Sequence, residues 1–383
     1  MNTARAAAQA ERTANQVACL RLLAEAGEPR TVGVISEGTG LSRPTVHAVL
    51  DDLIDAGLIE AASPTTAGPG RPARAFRFAR EAGLVAAVDL GPRGARAIIC
   101  DLSGHRVGYA ELAPAPHADL ALIRRALDEA AGSLDLGRLR ALGIGLPGVV
   151  EADGRLRASL ALPDLVDLPI AESLAGDLGC PVVVDNDIKL AALAEQRGGA
   201  GRGYSDVVYL QIGHRISVSI VLNGVIRQGR HRLAGELGAQ RGMRWTRNAQ
   251  RGQLVWSTRP TSAEVVSAAA AGDADAQAEL ADFCAQIAGR IATVLLVIDP
   301  EVLVVRGGAA HDSHALLRPL AAAVENELIF PERPPFAASA LGREAVVLGA
   351  VGNAFDRHGT GIYGVHDYPS PWHHITHPAE RTP

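Results

Sequence analysis

Asn186, Asp187 and Glu236 are of types suited to holding a hydroxylated small molecule. A carboxylate or an amide can serve two adjacent hydroxyls. A carboxylate in a cleft can also take a proton from a hydroxyl as a general base. Ser42, Arg43, Thr45 and His47 follow a Gly38-Thr39-Gly40-Leu41 turn and suit a different partner. Small polar and basic side chains in the first turns of a helix match the base edges of a DNA major groove. Arg71 and Arg74 open a run, Arg71 to Arg80, that also holds Arg77 and no acid. Gly70-Arg71-Pro72 holds an arginine on extended backbone, a form suited to a narrow minor groove. The ordinary alternatives are a solvated helix face for the basic residues and a salt bridge to a nearby arginine for Glu236.

The elements that must position the basic group are short. Val17, Leu20 and Leu23 recur at helical spacing, so a helix is expected from Asn15 to Gly27. A second is expected over Thr31 to Glu37, capped by Thr31. Ser42 caps the third, Arg43 to about Ala56, with Pro44 in its first turn and Gly57 after its end. Val46, Val49, Leu50 and Leu53 form its buried stripe. Asp51, Asp52 and Asp55 must then point away from the phosphates. Leu58 to Glu60 and Ala73 to Ala79 read as strands flanking a loop rich in Ser, Thr, Pro and Gly, which makes a β-wing.

From Gly83 the pattern changes to alternating strands and helices. Strands are expected at Leu84 to Gly91, Arg96 to Leu102, His105 to Leu112, Leu139 to Leu146 and Pro181 to Val184. A second series has strands at Val207 to Ile212, Val218 to Leu222 and Val302 to Val305. Helices fit Asp119 to Ala131 and Ile188 to Gln196. Two successive α/β units predict two lobes with a cleft between them.

Composition narrows the class. With 48% hydrophobic and 21% charged residues, a packed globular protein is expected. The N-terminus is polar, and no apolar run reaches membrane-span length unbroken, so a cytoplasmic protein without membrane contact is expected. Cys19, Cys100, Cys180 and Cys284 are far apart and read as buried hydrophobes. The net charge of −5 leaves DNA binding to a local basic face. His366, His373, His374 and His377 lie in a Pro-rich segment expected to be a flexible tail.

Several ordered motifs now resemble those of the ROK family of repressors, open reading frames and kinases. They are Gly143-Ile144-Gly145-Leu146-Pro147-Gly148-Val149-Val150, Asp185-Asn186-Asp187, Asn223-Gly224 and Ala234-Gly235-Glu236-Leu237-Gly238. The N-terminal part is similar to that of the xylose and N-acetylglucosamine repressors. The resemblance implies an α/β fold: a winged helix-turn-helix (1–80), a two-lobed actin/hexokinase-like domain (83–365), and the tail (366–383). It implies sugar contacts at Asn186, Asp187 and Glu236, with Asp187 matching the kinases' general base. The chain departs from the kinase pattern at both phosphate turns. Gly91-Pro92-Arg93-Gly94 stands for a Gly-Gly-Thr type, and Gly213-His214-Arg215 stands for a glycine-rich loop. The family's histidine after the glutamate is replaced at Gly238-Ala239, and its zinc cysteines are missing between Gly242 and Gln253. Neither a zinc site nor a cofactor is expected, and Lys189 stands where an asparagine is usual.

The function expected is a non-enzymatic regulator, a repressor of carbohydrate-related genes responding to a sugar or sugar-acid effector. It would bind double-stranded DNA at a near-palindromic operator as a homodimer or homotetramer. The alternatives are a sugar kinase with a fused DNA-binding domain and a ligand-independent DNA-binding scaffold.

Overall fold

The structure is a computed structural model that describes residues 2–63, 74–114, 119–237, 246–247, 249–250, 253–307, 313–330 and 332–377. The chain opens with α1 (Asn2–Ala26), β1 (Arg30–Thr31), α2 (Val32–Thr39), α3 (Arg43–Asp55), β2 (Ile59–Ala62) and β3 (Ala75–Phe78). Helix α1 starts well before Asn15, because the Ala-rich stretch ahead of it contains neither Gly nor Pro. Its apolar stripe begins later, and only the stripe is visible to a periodicity argument. Thr31 caps α2 by accepting a hydrogen bond from the Val34 amide at 3.5 Å. Gly40 closes α2 in the left-handed region at φ 72°. Val46, Val49, Leu50 and Leu53 are buried on α3, as their spacing requires. Strands β1, β3 and β2 form a small antiparallel sheet. Gly70-Arg71-Pro72, on the loop that joins β2 to β3, lies outside the described residues.

The first lobe contains β4 (Leu84–Gly91), β5 (Gly94–Asp101), β6 (Arg106–Leu112), α4 (Leu120–Ala131), β7 (Leu139–Leu146), β8 (Val149–Val150), β9 (Leu156–Ala158), α5 (Ile170–Leu178), β10 (Val182–Asn186) and α6 (Asp187–Gly198). The second contains β11 (Val207–Ile212), β12 (Ile216–Leu222), β13 (Val225–Ile226), β14 (Ala249–Gln250), β15 (Gln253–Leu254), α7 (Ser262–Ala270), α8 (Ala274–Ile298), β16 (Val302–Arg306), α9 (Ser313–Glu325) and β17 (Phe336–Ala338). The chain then returns to the first lobe as α10 (Ala345–Tyr363) and α11 (Trp372–Thr376). The two main sheets follow one path twice, β6-β5-β4-β7-β10 and β13-β12-β11-β16-β17. In each, the first three strands are antiparallel and the last two join in parallel. Parallel neighbours bury both faces, and β4, β7 and β11 are almost wholly buried.

Helix α8 is long and apolar enough to cross a membrane by length and composition alone, and Gly289-Arg290 breaks its apolar run, as expected. Its buried stripe, including Leu280, Phe283, Ile287 and Ile291, packs in the second lobe's core. The four cysteines are buried and unbridged, and burial pushes the Cys19 and Cys180 thiols up to about 11.

The C-terminal segment is not the expected flexible tail. His374 stacks on His105 with ring centroids 4.3 Å apart, and its Nδ1 lies 2.9 Å from the Ser103 carbonyl. Trp372 Nε1 donates to Asp356 at 3.1 Å, while Ile375 and Thr376 are buried. Apolar and aromatic side chains scattered among the prolines and histidines dock this segment; residues 378–383 lie outside the described ones.

One apolar cluster joins the winged helix to the first lobe. It runs from Leu20, Ile35, Leu50 and Phe76 through Val85 and Cys100 to Ala354, Phe355 and Tyr363. Helix α10 lies close against its neighbours. A Cβ on Gly349 would collide with the Leu190 carbonyl oxygen of α6, and one on Gly143 of β7 with the Ala350 carbonyl oxygen. Gly349→Ala should therefore lower the melting temperature by several degrees, at a cost of about 1–3 kcal/mol. Gly361→Ala, where a Cβ on the same helix meets nothing, should hold or raise it. Equal effects of the two substitutions in thermal melts would contradict this packing.

Candidate nucleic-acid interface and ligand cleft

Helix α3 is held at its start by its own hydroxyls. Ser42 Oγ accepts from the Thr45 amide at 3.3 Å and lies 2.8 Å from Thr45 Oγ1. These two residues therefore serve first to fix the helix start. Arg43 and His47 are exposed, one turn apart on one face. Asp52 points to α1, where Arg12 Nη2 approaches it at 2.5 Å and Gln16 at 3.1 Å. Hydrogen bonding from Arg12 holds the Asp52 carboxyl below the usual carboxylate range. Asp51 and Asp55 are exposed.

The basic run is less basic in space than in sequence. Register places Glu60 of β2 opposite Arg77 of β3, and the two pair. Arg80 pairs with Glu81 at 3.1 Å and reaches toward Asp101 at 3.8 Å. Arg74 is exposed at the start of β3, with its guanidinium 5.1 Å from the Phe76 ring centroid.

The cleft is built at strand ends. Asp89 lies near the end of β4, Asn186 ends β10, Asp187 opens α6 and Arg306 ends β16. This is where open α/β sheets bind ligands. Asp187 Oδ1 accepts from the Ile188 amide at 2.8 Å. Burial raises the Asp187 pKa, while that amide and Arg306 pull it back. Burial raises the Glu236 carboxyl too, against the pull of Lys189. The cation facing Glu236 is thus Lys189, where the ordinary alternative to a ligand role was a nearby arginine. Lys189 is 3% exposed; its Nζ donates to the Arg232 carbonyl at 3.1 Å, and burial lowers its pKa despite Asp185 and Glu236.

Asn186 has a structural part of its own. Its Oδ1 accepts from the Lys189 amide at 3.1 Å and its Nδ2 donates to the Gly148 carbonyl at 2.8 Å. Asn186 thus caps α6 and positions Asp187, and its Nδ2 keeps a second hydrogen beyond the one given to Gly148. Asp185 accepts from the Asn186 amide at 2.8 Å and from Gln228 at 3.1 Å.

The two turns facing the cleft are tight hairpins. Gly91 pairs with Gly94 across Pro92-Arg93, and Ile212 pairs with Ile216 across Gly213-His214-Arg215. Pro92 has no amide hydrogen. The Gly213 amide donates to the Arg215 carbonyl at 3.0 Å. Gly238-Ala239, expected in place of the family's glycine and histidine after Glu236, lies outside the described residues.

Asp89, Arg96 and Arg306 were not anticipated as cleft residues, and Arg93 and His214 were anticipated only as members of the two altered phosphate turns. Arg306 lies within electrostatic reach of both Asp89 and Asp187. Arg96 approaches Asp89 at 3.9 Å and Glu111 at 2.8 Å. Burial and Asp187 push the Asp89 carboxyl up to about 6 against Arg306, Arg96 and Arg93. A charged residue at the end of an apolar strand was the available signal, as in Val302–Arg306.

Comparison with known proteins agrees with this architecture. The ROK family profile matches residues 85–253 and 242–355, and the MarR family profile matches 12–67. The bifunctional enzyme NanE/NanK of Brucella suis is 32% identical over 229 residues, covering 56% of this chain and 42% of that one. The match thus spans less than half of that enzyme. The structure of a ROK family transcriptional regulator, a homolog of the E. coli MLC protein, superposes with TM-score 0.63 at 20% identity, covering 95% of this chain and 98% of that one. A ROK family glucokinase from Streptomyces griseus, solved with glucose and AMPPNP, gives TM-score 0.61 at 23% identity over 72% of this chain and all of that one (100%).

The cleft's charge predicts a pH dependence. The Asp89 pKa of about 6 lies above its unfolded value of about 3.9, so the folded chain binds more protons between the two. That contribution to stability is complete below the unfolded value and is lost as pH rises through about 6. Asp89→Asn should therefore reduce the fall in melting temperature between pH 5 and pH 7.5. Asp101, also raised to about 6 by burial, keeps part of that fall. Identical pH profiles for the variant and the parent would contradict the assignment.

Proposed function

The chain belongs to the ROK family, and we propose that it is a DNA-binding transcription regulator, a repressor of carbohydrate-related genes. In this reading it acts in the cytoplasm as a homodimer or homotetramer on a near-palindromic operator. The observation that carries the reading is a winged helix whose α3 exposes Arg43 and His47, packed through a shared core onto a cleft domain. Ser42 and Thr45 fix the helix start, and Arg71 and Arg74 supply the wing's phosphate or minor-groove contacts. The cleft binds a sugar or sugar derivative through Asp187 and Glu236. Differential affinity for two domain arrangements would then change DNA affinity.

A sugar kinase with a fused DNA-binding domain is the second reading. Asp187 at the cleft end of α6 favours it, and so does the likeness to NanE/NanK. Against it stand the Pro92-Arg93 turn and the internally bonded Gly213 amide, which leave few backbone donors for a nucleotide's phosphates. If the full chain phosphorylates a sugar with ATP, and Asp187→Ala abolishes that rate, this second reading holds.

Selection of bound duplexes from a random pool, at low salt and with the full chain, tests the regulator reading. Enrichment of a near-palindromic site is expected. Arg43→Ala should then weaken binding to that site by about 5- to 150-fold, and His47→Ala should weaken it as well. Arg77→Ala should change it little, since Glu60 already neutralises that charge. Failure to enrich any duplex would overturn the reading; undiminished binding by both α3 variants would remove α3 as the reader.

A further inference from the structure

One buried carboxylate touches both places where the chain passes between the lobes. The first crossing, residues 199–206, leads from α6 to β11, and the second, residues 339–344, leads from β17 back to α10. Glu195, near the end of α6, is 2% exposed. Its Oε2 accepts from the Ala200 amide at 2.7 Å on the first crossing and from the Ala340 amide at 3.2 Å on the second. Its Oε1 accepts from Ser339 Oγ at 2.5 Å and from the Leu341 amide at 2.9 Å. A carboxylate offers about four acceptor positions, so this one is saturated by donors from the two crossings. Glu279 gives the contrast. It accepts from the amides and hydroxyls of Ser257 and Thr258 at 2.5–3.0 Å, and all of these lie within the second lobe.

Each crossing is also tied at its far end to one lobe. On the first, the Ser205 and Asp206 amides donate to Glu301 Oε2 of the second lobe at 2.5 and 2.9 Å. On the second, the Arg343 carbonyl accepts from Arg96 Nη1 of the first lobe at 2.6 Å, and Glu344 pairs with Arg106 at 2.8 Å. Between the tied points lie Gly203 at φ 91° and Gly342 at φ 52°, positions that can absorb a change of backbone angle. Two bodies joined at two points turn about the line through those points. A group bound at both points lies on that line and moves least. We infer that Glu195 is the pivot of the cleft: it binds the two crossings into one hinge and holds the lobes to a narrow range of opening. Asp187 opens the same helix, about 12 Å along its axis, so α6 joins the pivot to the cleft. A pivot of this kind serves a regulator and a kinase alike.

Pulsed electron resonance on the full chain measures the spacing of the lobes, with nitroxides on Glu129→Cys of α4 and Ala278→Cys of α8. Both positions are exposed, one on each lobe, and the four native cysteines are buried. The chain with Glu195 intact should give one narrow distance distribution. Glu195→Gln sets an amide group against N–H donors and should broaden that distribution about twofold or more. Glu279→Gln, an equal change inside one lobe, should leave it as it was. Hydrogen exchange on the same variants reads the hinge itself. In Glu195→Gln the amides of Ala200, Ala340 and Leu341 should exchange about tenfold faster or more, on both crossings together, while those of β4 and β11 keep their rates. Should Glu195→Gln fail to fold, Ser339→Ala removes one donor of the second crossing and carries the test, with a smaller broadening. A distribution already broad with Glu195 intact, no broadening in the variant that folds, or equal broadening by Glu279→Gln would each overturn the pivot. Faster exchange on one crossing alone in Glu195→Gln would overturn it as well.

Discussion

The continuous apolar core between the DNA-binding domain and the first lobe is the constraint on which the rest of the structure depends. Separate domains on a linker would let α3 tumble independently of the cleft. Here Leu20 and Leu50 share a cluster with Phe355 and Tyr363. A hydrogen bond crosses the join as well, from the Leu102 amide to the Arg80 carbonyl at 3.0 Å, and within the lobe Tyr363 Oη donates to the Leu102 carbonyl at 2.7 Å. The C-terminal segment closes over this join. Tyr368 packs on Tyr363 at 4.4 Å between centroids and lies within electrostatic reach of Arg21 and Glu25 on α1. Trp372 lies against Gly352 of α10, under the guanidinium of Arg197, and Thr376 lies against Gly198. Helix α6 thus begins at Asp187 in the cleft and ends against a strap that reaches α1. This helix of 12 residues is about 18 Å long, enough to span from the cleft to the strap.

The cleft holds carboxylates at the start of α6 and on the Glu236 turn, together with two tight hairpins. Asp187 and Glu236 remain, both with pKa values raised by burial. Opposite them, tight hairpins present side chains in place of amides. Lys189, the chain's single lysine, lies buried between Asp185 and Glu236 and ties α6 to the Arg232 carbonyl. Burial lowers the Lys189 pKa and raises that of Glu236, and each group pulls against the other's shift.

Much of the fold was legible because local signals agreed. Ser42, Pro44 and Gly57 delimit α3, and continuous apolar runs mark β4, β7 and β11. What escaped depended on partners distant in sequence. Arg77 is paired with Glu60 through strand register, and Arg93 comes within electrostatic reach of Arg306 only through the fold of both lobes. The α1 extension has helix propensity without an apolar stripe. Asn186 is a different case, because an asparagine directly before an Asp-Ile-Lys helix start is a cap signal, and its committed side chain was readable locally. The docked C-terminal segment was hidden by its prolines and histidines, whose composition suggests a tail while Trp372 and Ile375 do the packing.

Native-state hydrogen exchange on the intact chain tests the shared core most directly. Amides of α3 and of the buried middle of α1 should exchange through the same large opening as those of β4 and α10, with protection set by one cooperative unit. Exchange of the whole winged helix through a separate, lower-energy opening, while β4 and α10 stay protected, would show that the DNA-binding domain folds on its own and would contradict the account.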